Sequence, residues 1–140
     1  MGEDVLILIG SKTDETKAKE CMSILEEKGV KCRFEIASAH RTPELVDKLV
    51  KNSDAKVFIA MAGLSAALPG VVASKTIKPV IGVPLNVKLD GLDALLSSMQ
   101  MPSGVPVATV GVDSAKNAAF LAMRILALSD KKLEEKMKTK

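Results

Sequence analysis

Val5-Leu-Ile-Leu-Ile9, with Gly10-Ser11 directly behind it, decides how the rest of the chain is read. A strand with one wet face alternates apolar and polar residues, whereas a strand covered on both faces is apolar throughout. This run has no polar position, so it reads as a buried parallel strand. From Thr13 to Lys28 the apolar residues Ala18, Cys21, Met22 and Leu25 then fall at i, i+3, i+4 and i+7, one face of a helix. Gly29 follows as a C-cap glycine.

The same unit recurs along the chain. Val30–Ala37 is β-rich and leads through Ser38-Ala-His-Arg-Thr42 to a helix that Pro43 opens, with Leu45, Val46, Leu49 and Val50 on its stripe. Val57–Met61 predicts a third strand, followed by the small-residue segment Ala62–Ala67 and a short helix from Pro69 towards Thr76. Pro79–Pro84 predicts a fourth strand, and Gly91–Ser98 a helix with Leu92, Leu95 and Leu96 facing inward. Val105–Val110 predicts a fifth strand, and Ser114–Leu128 a long helix. Strands alternating with helices imply an α/β protein with a parallel sheet covered on both faces. Five such units predict a three-layer α/β/α sandwich, flavodoxin-like, with strand order 2-1-3-4-5 on grounds of fold frequency. The expected organisation is one α/β domain over residues 1–128 and a lysine-rich helix or tail over 129–140. The last long helix is apolar nearly all round, from Ala115 and Ala118 through Phe120 and Met123 to Leu128. A surface helix on a small domain should show a polar face, so a neighbouring subunit is expected to cover this one.

Composition narrows the function classes. The chain has 140 residues, 47% of them hydrophobic but only 2% aromatic, with one histidine and two cysteines. A chain of this length buries roughly two-thirds of its unfolded surface and needs no disulfide or metal to hold a core. One His, and Cys21 and Cys32 outside any C-x-x-C spacing, argue against a metal site. Both cysteines read as small apolar fillers in a reducing compartment. The scarcity of aromatics argues against base-stacking nucleic-acid modules. The net charge is +3, and Asp130–Lys140 carries five Lys against three acids, so the body has no basic stripe for nucleic acid. No apolar run has the length of a membrane span and no signal peptide is evident, so a cytoplasmic protein is expected.

In an open parallel sheet, ligands bind beyond the carboxyl ends of the strands. Three loops leave strands there with polar or small residues: Gly10–Asp14, Ser38–Pro43 and Ala62–Gly70. The first sets Gly10 and Ser11 before a helix start, where free N–H groups and the positive helix end favour an anion such as phosphate. Asp14 reads equally as a helix cap or as an acceptor for ribose hydroxyls. Neither a dinucleotide nor a P-loop fingerprint is present. The second loop holds the single histidine, His40, beside Arg41, whose forked guanidinium suits phosphate or carboxylate. Histidine can give and take a proton near neutral pH. The third loop, nearly all Gly, Ala and Ser, reads as a tight strand–helix joint or as a floor that a ligand can approach closely.

Taken together, G-S-x-[ST]-D, S-A-H-R-T-P, A-G-x-x-A-x-L-P-G, P-V-I-G-V-P and Q-M-P-x-G-V-P, in this order from about Val5 to Leu128, resemble the PurE family of purine biosynthesis. The resemblance implies a flavodoxin-like fold, a homo-octamer, and neither metal nor organic cofactor. It implies that Ser11 and Arg41, helped by Ser38, bind the 5′-phosphate of a small nucleotide substrate, and that Asp14 binds its ribose. His40 would be the general acid/base. The Gly63–Leu68 loop, with Ser65 and Ala66, would hold the imidazole and the migrating carboxylate.

The implied product is 4-carboxy-5-aminoimidazole ribonucleotide. In the mutase branch it forms from N5-carboxyaminoimidazole ribonucleotide by release and recapture of CO2 inside the site. In the other branch 5-aminoimidazole ribonucleotide is carboxylated directly by free CO2. Mutases usually have histidine where this chain has Ala67, and Ser65 and Ala67 resemble the direct carboxylases, while the rest of the chain resembles the mutases. A non-catalytic nucleotide-binding subunit is the third possibility, motivated by Ala67.

Overall fold

The computed structural model describes residues 2–139. Strands β1 (Val5–Ile9), β2 (Cys32–Ile36), β3 (Val57–Ala62), β4 (Val80–Pro84) and β5 (Ala108–Thr109) alternate with helices α1 (Glu15–Glu27), α2 (Pro43–Asn52), α3 (Leu68–Ala73), α4 (Leu92–Met99) and α5 (Ala115–Ala127), and α6 (Lys131–Lys138) follows. The strands form one parallel sheet in the order β2-β1-β3-β4-β5, the arrangement expected from the sequence. Met1 and Lys140, the outermost residues of the two expected segments, lie outside the described residues.

Burial on both faces explains the apolar strands. Every residue of β1, β3 and β4 is buried. Val5, Ile7 and Ile9 meet α1 and α5 through Cys21, Leu25, Ala118 and Met123. Leu6 and Leu8 face the opposite layer, where Val46 and Val50 of α2, Leu68 and Val72 of α3 and Ala94 of α4 close the core with Phe58. Registration then aligns the strand ends: Ile9 stands opposite Ile36 on one side and Met61 on the other. The segments beginning at Gly10, Ala37 and Gly63 therefore leave the sheet side by side.

Three expectations change. The fifth strand shrinks from Val105–Val110 to Ala108–Thr109. Pro106 has no N–H to give to a ladder, and the Val105 N–H closes a turn onto the Pro102 carbonyl at 3.1 Å. On α4, Leu92 and Leu96 point outward (53% and 44% exposed) while Ala94 and Ser98 are buried. Periodicity identified a stripe, but the small residues beside it are the ones that let the helix approach the sheet. Finally, α5 finds its cover within its own chain. The sheet, α1 and α6 bury Ala115, Ala118, Ala119, Ala122, Met123 and Leu126. Only Lys116, Asn117, Phe120 and Arg124 remain exposed along it.

The lysine-rich C-terminal segment is helical. Asp130 caps α6 by accepting from the Leu133 N–H at 3.1 Å, and Leu133 is buried in the α1–α5 layer. Lys28 Nζ donates to the Lys136 and Thr139 carbonyls (3.2 and 3.3 Å), and Lys136 Nζ donates to the Lys28 carbonyl (3.4 Å). Each helix end thus receives an ammonium from the other, where the dipole favours positive charge. The two thiols are free. Burial pushes Cys21 up to about 12, with the nearby Cys32 adding to it, and pushes Cys32 up to about 11 with help from Glu26 and Asp4. Both thiols are therefore protonated at neutral pH and act as packing groups.

If α5 owes its place to this packing, Met123→Ala removes a fully buried side chain and costs about 2–5 kcal/mol, read from urea unfolding. A loss below about 0.5 kcal/mol, the scale of a surface substitution, would contradict the assignment.

Candidate active site

The three loops that sequence reasoning placed on one rim do share one cavity. It has a volume of about 270 Å³ and lies at the carboxyl edge of the sheet. Gly10, Ser11, Thr13 and Asp14 line it from the first loop, Ser38, Ala39, His40 and Arg41 from the second, and Ala62, Gly63, Leu64, Ala67 and Leu68 from the third. Val87, just beyond β4, completes the wall. That volume is at the lower edge of the range for small-molecule sites.

In the first loop, Ser11 caps a 3₁₀ turn over Lys12–Asp14, accepting from the Thr13 N–H at 3.3 Å, while its hydroxyl lies 3.0 Å from that of Thr13. Helix α1 starts immediately afterwards, so its positive end abuts the cavity. Asp14 stands at the N-cap position but makes no side-chain cap. Its carboxylate is therefore not spent on the helix, which favours the ligand reading over the capping one. Burial pushes the Asp14 carboxyl up, and the Ser11 N–H opposes this in part. A Cβ added at Gly10 would meet only Ala62 Cβ, at 3.9 Å, so glycine there leaves room for a ligand rather than avoiding a clash.

The second loop is closed by its own hydroxyls. Thr42 Oγ1 accepts from the Ser38 N–H (2.9 Å), and Ser38 Oγ accepts from the Arg41 N–H (3.2 Å). Pro43 then starts α2. These bonds fix the backbone on both sides of His40 and leave its ring and the Arg41 guanidinium exposed. Among the described residues neither side chain has a hydrogen-bond partner, so both donors are available to a ligand.

The third loop is the strained one. Leu64, Ser65 and Ala66 have φ values of 48°, 74° and 39°, all left-handed and none of them glycine. Such residues cost roughly 1–2 kcal/mol each. Within this turn the Ala66 N–H donates to the Gly63 carbonyl at 3.1 Å. A Cβ on Gly63 would collide with Val87 Cγ2 and lie 3.1 Å from the Leu85 carbonyl, so glycine there allows the third loop and the Val87 segment to meet.

Of the residues singled out in the sequence, Ser11, Asp14, Ser38, His40, Arg41, Gly63 and Leu68 line the cavity. Ser65 and Ala66 do not: Ser65 is exposed and Ala66 is buried in the core. Leu64 and Ala67 line it as members of the Gly63–Leu68 loop expected there, whereas Thr13, Ala39, Ala62 and Val87 line it without having been assigned a contact. Thr13, Ala39 and Ala62 lie inside the three loops, and Val87 follows a strand end, the one signal that pointed to it. No group of three or more metal-ligating side chains occurs among the described residues.

The raised Asp14 pKa gives a pH test. A carboxyl whose pKa rises on folding adds stability while protonated, below its ordinary value of 3.8, and loses that contribution as pH rises through the raised value. Asp14→Asn should therefore be more stable than the parent at neutral pH, with the difference closing as pH falls through the folded-state pKa of Asp14. Urea midpoints of both proteins between about pH 7 and pH 3 would show this; a gap that does not change with pH would contradict it.

Comparison with known proteins identifies the family. Residues 4–140 match the family model described as AIR carboxylase. The chain is 60% identical over 133 residues to the N5-carboxyaminoimidazole ribonucleotide mutase of Methanocaldococcus jannaschii, spanning 95% of this chain and 85% of that protein. It is 52% identical over 140 residues to the probable N5-carboxyaminoimidazole ribonucleotide mutase of Methanobrevibacter smithii, spanning 98% of this chain but 41% of that longer protein. Its fold superposes on the crystal structure of Treponema denticola PurE with a TM-score of 0.88 at 37% identity, covering 96% of this chain and 87% of that one. With the family model matching residues 4–140 and a relative 60% identical over 95% of its length, the chain belongs to the AIR carboxylase (PurE) family.

Proposed function

We propose that this protein is an N5-carboxyaminoimidazole ribonucleotide mutase that forms 4-carboxy-5-aminoimidazole ribonucleotide in purine biosynthesis, with His40 as its acid and base. The relatives that bear the mutase name support the reaction. The observation that carries the assignment of roles is the convergence of Ser11, Asp14, His40 and Arg41 on one cavity whose side formed by Ala62, Gly63, Leu64, Ala67, Leu68 and Val87 is apolar.

In this reading the substrate phosphate sits between Ser11, the start of α1 and the Arg41 guanidinium, with Ser38 shaping the turn behind it. Asp14, free of any cap, accepts from the ribose hydroxyls. Gly63, Leu64, Ala67 and Leu68 border the reacting ring. His40, as imidazolium, gives its proton to the carbamate nitrogen, and the C–N bond breaks to release CO2 and aminoimidazole ribonucleotide. C4 of the ring attacks the CO2, forming the new C–C bond. His40 then takes the C4 proton, which restores aromaticity and returns the imidazolium. The proton count closes with one residue. Holding the CO2 beside C4 makes recombination effectively unimolecular.

Direct carboxylation by free CO2 would use the same cavity. Of the two residues that lean towards it, Ser65 lies outside the wall and Ala67 within it. The names of the relatives favour migration.

The assembly in this reading is a homo-octamer, and the cell compartment is the cytoplasm. Leu92, Leu96 and Met99 form an exposed apolar stripe on α4, with Leu89 just before it, and Ile77 is fully exposed. Such surface suits an interface between subunits. No helix among the described residues is long and apolar enough to cross a membrane.

Incubating purified protein with the N5-carbamate, and separately with aminoimidazole ribonucleotide and bicarbonate, tests the reaction. Turnover of the carbamate is expected, with His40→Asn about 10²–10⁴-fold slower. Saturable turnover only with bicarbonate would replace migration by carboxylation, and an unimpaired His40→Asn would overturn the role of His40. Sedimentation should return eight times the 14.8 kDa chain mass; a single-chain mass would overturn the octamer.

A further inference from the structure

The third loop holds its strained shape with help from outside itself. Its central N–H, that of Ser65, donates to Asp93 Oδ2 at 2.6 Å. Asp93 lies in the first turn of α4 and is not part of the cavity wall. The same carboxylate does not cap its own helix: Gly91 holds the N-cap position, and no side chain caps there. Its second oxygen, Oδ1, is buried and has no partner among the described residues. A buried carboxylate oxygen without a donor is costly, so the bond from the Ser65 N–H is the one that compensates the burial of this carboxylate.

The bond acts on the backbone at the middle of three consecutive left-handed residues, Leu64, Ser65 and Ala66. No glycine or asparagine there favours that conformation by itself. Pulling Ser65 towards α4 leaves Gly63 and Leu64 on one side of it, and Ala67 on the other, against the cavity. We propose that Asp93 is a positioning residue for the reaction: through the Ser65 N–H it clamps the third loop from outside the cavity wall, so that Gly63, Leu64 and Ala67 form a closed wall beside the reacting ring. The catalytic part of this proposal rests on the mutase reading above, in which that wall keeps the released CO2 next to C4. A loosened wall lets CO2 escape, leaving aminoimidazole ribonucleotide as a side product. Loss of fold alone has no such effect on the product ratio.

The test compares Asp93→Ala, which has no acceptor, with Asp93→Asn, which keeps an oxygen for the Ser65 N–H. Two readouts are taken on the whole protein: amide hydrogen exchange at Ser65, with Ile59 and Met61 of β3 as internal controls, and the ratio of aminoimidazole ribonucleotide to carboxylated product from the N5-carbamate. In Asp93→Ala, Ser65 exchange should rise about ten- to a hundredfold, the worth of one charge-assisted hydrogen bond, with the β3 amides unchanged. The rate should fall by a similar factor and the share of escaped aminoimidazole ribonucleotide should rise. Asp93→Asn should stay close to the parent in both. Unchanged Ser65 exchange in Asp93→Ala overturns the clamp, and so does a rate that falls only with the folded fraction while the product ratio stays fixed. Should the parent not turn over the carbamate, the mutase reading fails by itself and the exchange data alone decide the clamp. Ser65 protection lost in Asp93→Ala and kept in Asp93→Asn then supports it, and equal protection in all three proteins overturns it.

Discussion

Strands β1, β3 and β4 are covered on both faces, and this constraint organises the molecule. A strand buried on both sides has no position at which a polar side chain can reach water, so it can hold no ligand-binding group along its length. Polar chemistry is displaced to where the strands stop. Because Ile9 stands in register with Ile36 and Met61, at or one residue before the ends of their strands, three such points fall next to one another. The cavity is then a consequence of the core: its walls are the strand ends and the segments that leave them.

This is also why so much was legible in the sequence. A five-residue apolar run with no alternation, closed by Gly10, is too short for a buried helix and reads as a doubly buried strand, and five repeats of strand and helix leave few topologies open. What was misread depended on distance rather than on pattern. The stripe of Leu92 and Leu96 was correct as a stripe, but Ala94 and Ser98 occupy the inner side because only small groups fit close to the sheet there. Likewise α5 was expected to need a neighbour. Its alanines instead let α1 and the sheet come close enough, with α6, to cover it. Hydropathy reports how apolar a helix is and says nothing of how near its neighbours can come.

The site divides along the same line. Ser11, Asp14, His40 and Arg41 were readable because they are unusual residues next to strand ends. Ser65 and Ala66 are assigned to the cavity by the family resemblance alone, yet the left-handed turn carries both out of it. Left-handed backbone is ordinarily announced by glycine or asparagine. Here it is held by a bond to Asp93, a residue 28 positions further on, and no local signal records that bond.

The crossed lysines at the ends of α1 and α6 bear on where the protein keeps its charge. Lys28, Lys56, Lys132 and Lys136 gather around the amino edge of the sheet, beside Asp4 and Leu133. The cavity opens at the carboxyl edge, a full strand away, roughly 16 Å for five residues. That distance exceeds the screening length of about 8 Å at physiological ionic strength. The surplus positive charge therefore sits where an anion in the cavity hardly feels it. Net charge and ligand charge are uncoupled in this fold: the tail can gain or lose lysines to suit solubility while the electrostatics of the pocket stay with Asp14, His40, Arg41 and a helix end.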